Sequence, residues 1–290
     1  MADMTPTNGN ASFFEKMMRI DRRVIFVFIG VALIFPMFLN VTQHLPVSRE
    51  VQMASDALEA IPEGALVLFA CDYDPPSAPE LQPMAVSAFK VALRKKWRMV
   101  IIGLWPQGPQ QANMALNTAL ADPRYKDVHL TEGVDYVNLG FQSGNEAVIQ
   151  KMGSDIPTTF PRDYRGIPVN QIPIMRGIKN LGNFDFVVNI SAGYPGTREW
   201  VQFGVDRFGV KMISGSTAVQ TTEMFPYVGR QLLGLVGGMR GAAEFEQSTD
   251  NPGLALRFMV GQSVAHVIVI AFILIGNAAY FATRAGRKKS

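Results

Sequence analysis

Two carboxylates, Asp72 and Asp74, stand two positions apart directly after an apolar run. Carboxylate oxygens are the ligands that Mg²⁺ and Ca²⁺ prefer, and a metal bound there could assist hydrolysis or group transfer. Acidic residues beside Pro75 and Pro76 also commonly cap a turn, and we favour this second interpretation. We therefore assign no catalytic residue and predict no cofactor. A metal-assisted hydrolase or transferase that uses Asp72 and Asp74 is kept as an alternative.

The sequence Ser143-Gly-Asn-Glu146 has the spacing of a capping box at a strand-to-helix turn. Free N–H groups at a helix start attract anions, so this turn could hold a phosphate. Neither a G-x-G-x-x-G nor a P-loop sequence occurs in the chain, which weakens this interpretation. A cytosolic-facing nucleotide-binding domain is therefore the second alternative.

Glycine and hydroxyl-bearing residues are also concentrated at positions 191–197 and 214–217, after two further apolar runs. Such segments could recognise a carboxylate or sugar hydroxyls, or they could be ordinary turns. In a parallel sheet the carboxyl ends of the strands share one rim, so these turns and the carboxylates would converge there. The candidate ligand-binding residues are Asp72, Asp74, Gln142, Ser143, Ser191, Gly193, Tyr194, Ser216 and Thr217.

The scarcity of histidine and cysteine argues against several chemistries. Of the three histidines only His129 lies in the α/β region, just before the third predicted strand and thus at the opposite end of the sheet. A Ser-His-Asp triad is therefore disfavoured, and no G-x-S-x-G sequence occurs. A zinc site lacks ligands. The single Cys71 ends a predicted buried strand, so we expect an inert thiol.

The elements that must position these residues alternate between short apolar runs and helical patterns. The predicted strands are 65–71, 98–104, 134–139, 184–190 and 210–214. The predicted helices are 80–96, 109–121, 144–152 and 197–208, the last ending at Gly209. This order predicts a three-layer, Rossmann-like or flavodoxin-like parallel sheet of about five strands. We prefer the flavodoxin-like strand order.

The segment 225–246 is the most unusual part of the predicted domain, because it reads as a helix and yet contains five glycines. Each glycine inside a helix costs about 1 kcal/mol relative to alanine. The residues with small-xxx-small spacing are Gly234, Gly237, Gly238 and Gly241. They favour a helix packed tightly on the sheet, with a self-association face or a broken, loop-like segment as the other interpretations.

Two apolar segments, 24–41 and 264–283, carry basic residues on their terminal sides. Their lengths are near the roughly 20 residues that cross a bilayer, and cationic flanks stay in the cytoplasm. We predict a two-pass protein of the plasma membrane with cytoplasmic tails at 1–23 and 284–290 and an extracytoplasmic domain at 42–263. A cleaved signal peptide is the rival interpretation for the first segment.

The positive charge of the chain belongs to these tails. Residues 1–41 and 284–290 hold eight Lys and Arg against three Asp and Glu, whereas the rest holds nineteen against twenty-one. A nucleic-acid-binding face needs a concentration of basic residues, so we expect no nucleic acid partner.

His266 and Asn277 are polar residues inside the second apolar segment. Polar groups at membrane depth are candidates for function, but a single Asn usually serves helix pairing. We favour the structural role for both residues.

These patterns together favour binding over catalysis. We predict a membrane-anchored α/β domain that binds a small ligand or a protein partner without chemistry. The two anchors and the glycine-rich segment further suggest a homo-oligomer or a subunit of a membrane complex.

Overall fold

A computed structural model of the chain describes residues 21–38 and 44–287. The chain divides into two compact units, of which His44–Leu256 is one. The second unit contains the described residues before position 44 and those from Arg257 onward.

The first unit is built on a six-stranded, fully parallel sheet with the order β3-β2-β1-β4-β5-β6. The strands are β1 (Leu66–Asp72), β2 (Arg98–Gly103), β3 (Tyr136–Phe141), β4 (Phe186–Ser191), β5 (Met212–Ser216) and β6 (Leu235–Gly237). All residues of β1, β4 and β5 are buried, as a sheet covered on both faces requires. The prediction of a parallel α/β sheet is confirmed.

The preferred flavodoxin-like strand order was wrong, and the sheet has six strands where about five were predicted. Strands β1, β2 and β3 follow one another toward one edge of the sheet. Strand β4 lies on the other side of β1, and β5 and β6 continue from it toward the opposite edge. This is the doubly wound Rossmann order rather than the flavodoxin-like one, and its switch point lies between β1 and β4. Strand order is set by long-range packing of the crossovers, which local patterns do not report.

Helices cover both faces of the sheet. In chain order within this unit they are α2 (Arg49–Glu59), α3 (Ala78–Arg94), α4 (Gly108–Leu120), α5 (Glu146–Met152), α6 (Ile156–Thr159), α7 (Thr197–Trp200), α8 (Asp206–Phe208), α9 (Ala218–Met224) and α10 (Gly238–Ser248). A π-helical turn, Val201–Val205, joins α7 to α8. The α8 helix ends at Gly209 in the left-handed conformation, which confirms the predicted C-cap. Helix α3 packs against α4 and α10, and the Phe69 ring stacks on Phe89.

The glycine-rich segment is not one helix, so the preferred prediction for 225–246 was wrong and the broken, loop-like alternative is the one that agrees with the structure. A 3₁₀ turn (Phe225–Tyr227) and a loop lead into β6, and only then does α10 begin. A Cβ on Gly234 would collide with Ala54 of α2, and Gly238 has a φ of 61° at the strand-to-helix turn. These glycines therefore permit a close approach and a turn, and Gly234 and Gly238 share no helix face.

The two edge strands of the sheet differ in how much unpaired backbone they expose. Beside β3, the Tyr164 backbone N–H donates to the Asn138 carbonyl at 3.1 Å, so the segment after α6 covers part of that edge. At the other edge, β6 has three residues. The sheet consequently ends in one partly paired edge and one very short one.

The second unit contains two apolar helices, α1 (Arg22–Phe38) and most of α11 (Leu254–Arg287). Among the described residues, one helix is long and apolar enough to cross a membrane, over Leu254–Phe281. The apolar part of α1, Arg23–Phe35, is shorter, and positions 39–41 of the predicted first span lie outside the described residues. The α11 helix begins ten residues before the predicted span at 264.

Candidate functional site

The carboxyl ends of the strands bring three of the predicted residues into one row. Asp72 ends β1 and is the register partner of Ser191 at the end of β4. Ser191 in turn is the register partner of Ser216 at the end of β5. These residues flank the switch point between β1 and β4, where doubly wound sheets usually bind ligands.

Asp72 is fully buried at this switch point and accepts three hydrogen bonds. Its Oδ1 accepts from the Leu104 backbone N–H at 2.7 Å. Its Oδ2 accepts from Asn189 Nδ2 at 2.9 Å and from Trp200 Nε1 at 3.1 Å. Desolvation raises the pKa of Asp72 to about 7, although the three donors oppose the shift. The carboxyl group thus holds together loops from both halves of the sheet.

Asp74 has a separate, local role. Its side chain accepts from the Ser77 backbone N–H at 3.2 Å and from Ser77 Oγ at 2.8 Å, which caps the 3₁₀ turn Pro75–Ser77. The turn-capping interpretation is thus confirmed for Asp74 and wrong for Asp72, which is fully buried. In the part of the chain that the structure describes, no group of three or more His, Cys, Asp or Glu residues is placed to hold a metal ion.

The loop after β4 is held by one contact from the loop after β2 and by one within itself. Trp105 Nε1 donates to the Pro195 carbonyl at 2.8 Å, and Ser191 Oγ donates to the Gly193 carbonyl at 3.3 Å. A Cβ on Gly196 would collide with Ser191 Oγ, so the close turn requires glycine there. Gly193 and Ser191 therefore serve the turn itself, while the Tyr194 ring is left 61% exposed.

The capping box predicted at Ser143–Glu146 does not form. Helix α5 begins at Glu146 after Asn145, which has a φ of 52° and makes no side-chain capping bond. Glu146 instead accepts a hydrogen bond from the Tyr194 hydroxyl at 2.7 Å, and this bond lowers the pKa of the carboxyl group. The contact joins loops of β3 and β4 that sequence spacing does not connect.

A buried polar row beside Asp72 was missed by the sequence reasoning. Thr197 Oγ1 donates to Asn189 Oδ1 at 3.0 Å and lies 2.6 Å from Ser214 Oγ. All three residues are buried within or next to apolar strands. A polar residue inside an otherwise apolar strand run, such as Asn189 in FDFVVNI, is the signal that could have revealed this row.

Ser216 and Thr217 bond within their own turn. Ser216 Oγ lies 3.0 Å from Thr221 Oγ1, which donates to the Thr217 carbonyl at 2.8 Å. The next backbone N–H, of Ala218, donates to Glu80 Oε2 at 2.8 Å. The end of β5 is thus stabilised by contacts within the domain.

Gln142 and Ser143 line a cavity of about 460 Å³ past the carboxyl end of β3. Its walls are the loop after β3, one side of α5, the end of α6 and the residues just before α6. The lining residues are Gln142, Ser143, Gly144, Ala147, Val148, Gln150, Lys151, Ser154, Asp155, Thr158 and Thr159. This cavity therefore contains two of the predicted ligand-binding residues.

Most residues that line this cavity have polar side chains and their charges balance, although the larger part of the lining surface is apolar. Lys151 supplies one cation and Asp155 one carboxylate. The Asp155 carboxylate accepts from the Thr158 backbone N–H at 3.0 Å and from Thr158 Oγ1 at 2.7 Å, and these bonds lower its pKa. Amides and hydroxyls make up most of the remaining polar lining, and Phe141 at the end of β3 is 40% exposed. Such a lining suits a ligand that has many hydrogen-bonding groups and no net charge.

The fold and the cavity together define a doubly wound α/β domain joined to a helix able to cross a membrane. Comparison with protein-family models and with curated proteins gives no match for the chain. Functional inference therefore depends on the geometry of these residues.

Proposed function

We propose that this protein is a membrane-anchored, non-catalytic binding protein whose α/β domain takes a small, uncharged or zwitterionic polar ligand beside Gln142 and Ser143. The observation that carries the proposal is the cavity of about 460 Å³ past the end of β3. Its size lies within the usual range of ligand sites, about 300–1,000 Å³. Its two charged lining residues, Lys151 and Asp155, balance each other, which fits a ligand without net charge.

The surroundings of the acidic residues favour binding over catalysis. Asp72 is enclosed and already accepts three hydrogen bonds, so a substrate would have to displace structural contacts to reach it. Asp74 is engaged by Ser77. A metal-assisted reaction at these two residues stays a prediction without a structural observation in its favour.

We further propose that both apolar helices enter the plasma membrane, with the tails cytoplasmic and the domain extracytoplasmic. The exposed surfaces of α1 and α11 support this, because large apolar side chains such as Phe26, Phe35, Leu274 and Phe281 face outward. The basic residues at the terminal ends of both helices favour the cytoplasmic side. Assembly as a homo-oligomer or as a subunit of a membrane complex completes the proposal.

Ligand binding is tested with the detergent-solubilised full chain and a panel of free amino acids and monosaccharides. We expect at least one compound to raise the melting temperature, because a ligand that binds only the native state stabilises it. The double substitution Gln142→Ala and Ser143→Ala should abolish that shift and weaken binding at least tenfold in calorimetry, since two hydrogen bonds are lost.

The matched control is Thr222→Ala, which removes an exposed hydroxyl from α9 and lies outside the cavity lining. It should retain the full shift. A panel without any shift, or a shift that survives the double substitution, would show that this cavity is not the ligand site.

A further inference from the structure

Three polar side chains lie along one exposed face of α11. Gln262, His266 and Asn277 are all exposed, and at about 100° per residue they fall within about 60° of each other around the helix. Ile270 and Ile273 lie between them on the same face, and each is 56% exposed. The result is one continuous stripe with polar groups near both ends and isoleucines in the middle.

This stripe is not the face that α11 turns toward α1. Gly261 lies against the Leu33 backbone carbonyl, and the Phe272 ring contacts Phe28 edge to face at 6.2 Å. Gly261 and Phe272 lie about 120–140° around the helix from His266. The helix partner supplied by the same chain therefore leaves the polar stripe uncovered.

The stripe lies at membrane depth. Arg257 and Arg284 bracket the apolar part of α11, and the midpoint between them is near position 270. At about 1.5 Å per residue, His266 is about 7 Å and Asn277 about 10 Å from that midpoint. Both positions fall inside a hydrocarbon half-thickness of about 15 Å. In the described part of the chain no hydrogen bond engages the side chains of Gln262, His266 or Asn277.

Polar groups in hydrocarbon are stabilised by hydrogen bonds to another helix. Carboxamides carry both donors and acceptors, and so does a neutral imidazole. Each of the three polar side chains of the stripe can therefore hydrogen-bond to its own counterpart. Two copies inserted in the same direction run parallel and bring identical residues together, which matches this self-complementarity.

We propose that α11 pairs in parallel with α11 of a second copy of this chain, through the stripe formed by Gln262, His266, Ile270, Ile273 and Asn277. The pairing deepens the assembly part of the proposed function and rests on α11 crossing a membrane. It is independent of ligand binding by the α/β domain.

Cysteine crosslinking of the full chain in native membranes tests the pairing. Ile270→Cys and Ile273→Cys place a thiol within the stripe. Val267→Cys places one at a position that is 66% exposed and lies about 100° around the helix from the centre of the stripe. The natural Cys71 is buried and adds no background. With a mild oxidant, the two stripe variants should give a product of twice the 31.9 kDa chain mass, at least threefold more than Val267→Cys.

A second series of variants tests whether crosslinking depends on the polar side chains or only on the two helices being close together. In the Ile273→Cys background, Asn277→Leu together with His266→Leu should lower crosslinking at least threefold, because the interhelical hydrogen bonds are lost while the helix stays apolar. Asn277→Gln keeps the carboxamide and should retain crosslinking. Val267→Leu is the matched control and should also retain it.

The remaining outcomes discriminate the proposals. Equal crosslinking from all three positions, or no crosslinking from any of them, overturns the pairing. If the chain still stays in the membrane after alkaline washing, the membrane anchor is unaffected by that result. A crosslinked product of another mass would show that α11 pairs with a different protein, and it would overturn the proposal that the partner is a second copy of this chain. Loss of the chain from washed membranes overturns the anchor and the pairing together.

Discussion

Asp72 is a carboxyl group without a cationic partner whose three donors come from the backbone of Leu104 and from the side chains of Asn189 and Trp200. Burial raises its pKa to about 7 in the folded chain, against a usual value of about 3.9 when it is exposed. The folded state therefore holds the proton more tightly than the unfolded state. The stability contributed by this residue is present below about pH 4 and declines as the pH rises toward 7.

Substitution of Asp72 tests this linkage. Asp72→Asn leaves the Asn189 amide and the Trp200 ring N–H facing an amide group, which should lower the free energy of unfolding by about 1–3 kcal/mol. The difference between unsubstituted protein and variant should shrink as the pH rises from 4 to 8, since only the unsubstituted protein loses the titrating contribution. Denaturant unfolding of both proteins at several pH values measures this difference in the free energy of unfolding.

The control for this experiment is Asp74→Asn, which alters a local turn cap on Ser77. A difference for Asp72→Asn that stays constant with pH would contradict a raised pKa at this position.

At the residue scale, local features were predictable and long-range ones were not. The cap at Asp74 and the left-handed Gly209 depend on neighbours within a few positions, and the burial of Cys71 was predicted from the apolar run that it ends. By contrast, the hydrogen-bond donors Asn189 and Trp200 lie 117 and 128 residues after Asp72 in the chain. No periodicity in a short window reports such contacts.

Helix α10 fastens both ends of the α/β domain. The Gln247 side chain bonds to the backbone N–H and carbonyl of Leu45, and Glu244 accepts from the Ser48 backbone and hydroxyl. The buried Glu246 carboxylate accepts three backbone N–H groups, of Gly253, Ala255 and Leu256, at 2.9–3.0 Å. These N–H groups belong to the first turn of α11 and the residue before it, where helices otherwise lack acceptors.

Glu246→Gln replaces one of the accepting oxygens with an amide nitrogen and should therefore free part of this turn. We expect amide hydrogen exchange at Ala255 and Leu256 to accelerate about tenfold or more, in line with a loss of about 1–3 kcal/mol. Exchange in β1 should stay unchanged.

Glu223→Gln on α9 is the matched control, because it removes an exposed carboxylate from another helix. Equal acceleration in both variants would indicate a general loss of stability rather than the loss of a helix cap.

At the element scale, strands and helices were predicted where apolar periodicity was strong, and boundaries were shifted by about two residues. The glycine-rich segment was mispredicted because its glycines serve contacts with α2 and a turn at Gly238, neither of which is visible as a local pattern. The start of α11 was placed too late for a similar reason. Its first turn belongs to the domain and is held by Glu246 rather than by apolar composition.

For the whole molecule, the sidedness of the domain is the prediction with the widest consequences. Arg162→Cys places a thiol on an exposed part of the loop before β4. In intact cells a membrane-impermeant maleimide should label this variant, since the domain is proposed to be extracytoplasmic. Ser290→Cys in the basic tail should label only after permeabilisation.

The unsubstituted chain is the control, because burial raises the pKa of the Cys71 thiol and shields it. Labelling of Arg162→Cys only after permeabilisation would instead place the domain in the cytosol, as the nucleotide-binding alternative requires.

At this scale the parallel α/β architecture followed from the alternation of elements, whereas the strand order did not. Both the flavodoxin-like and the Rossmann order obey the same right-handed crossovers. The choice depends on where the chain returns after β3, and the covering of β3 by the Tyr164 segment favours β4 beside β1.

The boundaries of the sheet also affect how such chains behave when they are crowded. One edge is partly paired through Tyr164, and the other offers only the three residues of β6. Neighbouring copies at high concentration thus meet little strand surface on which to stack, and short or covered edges of this kind resist amyloid-like aggregation.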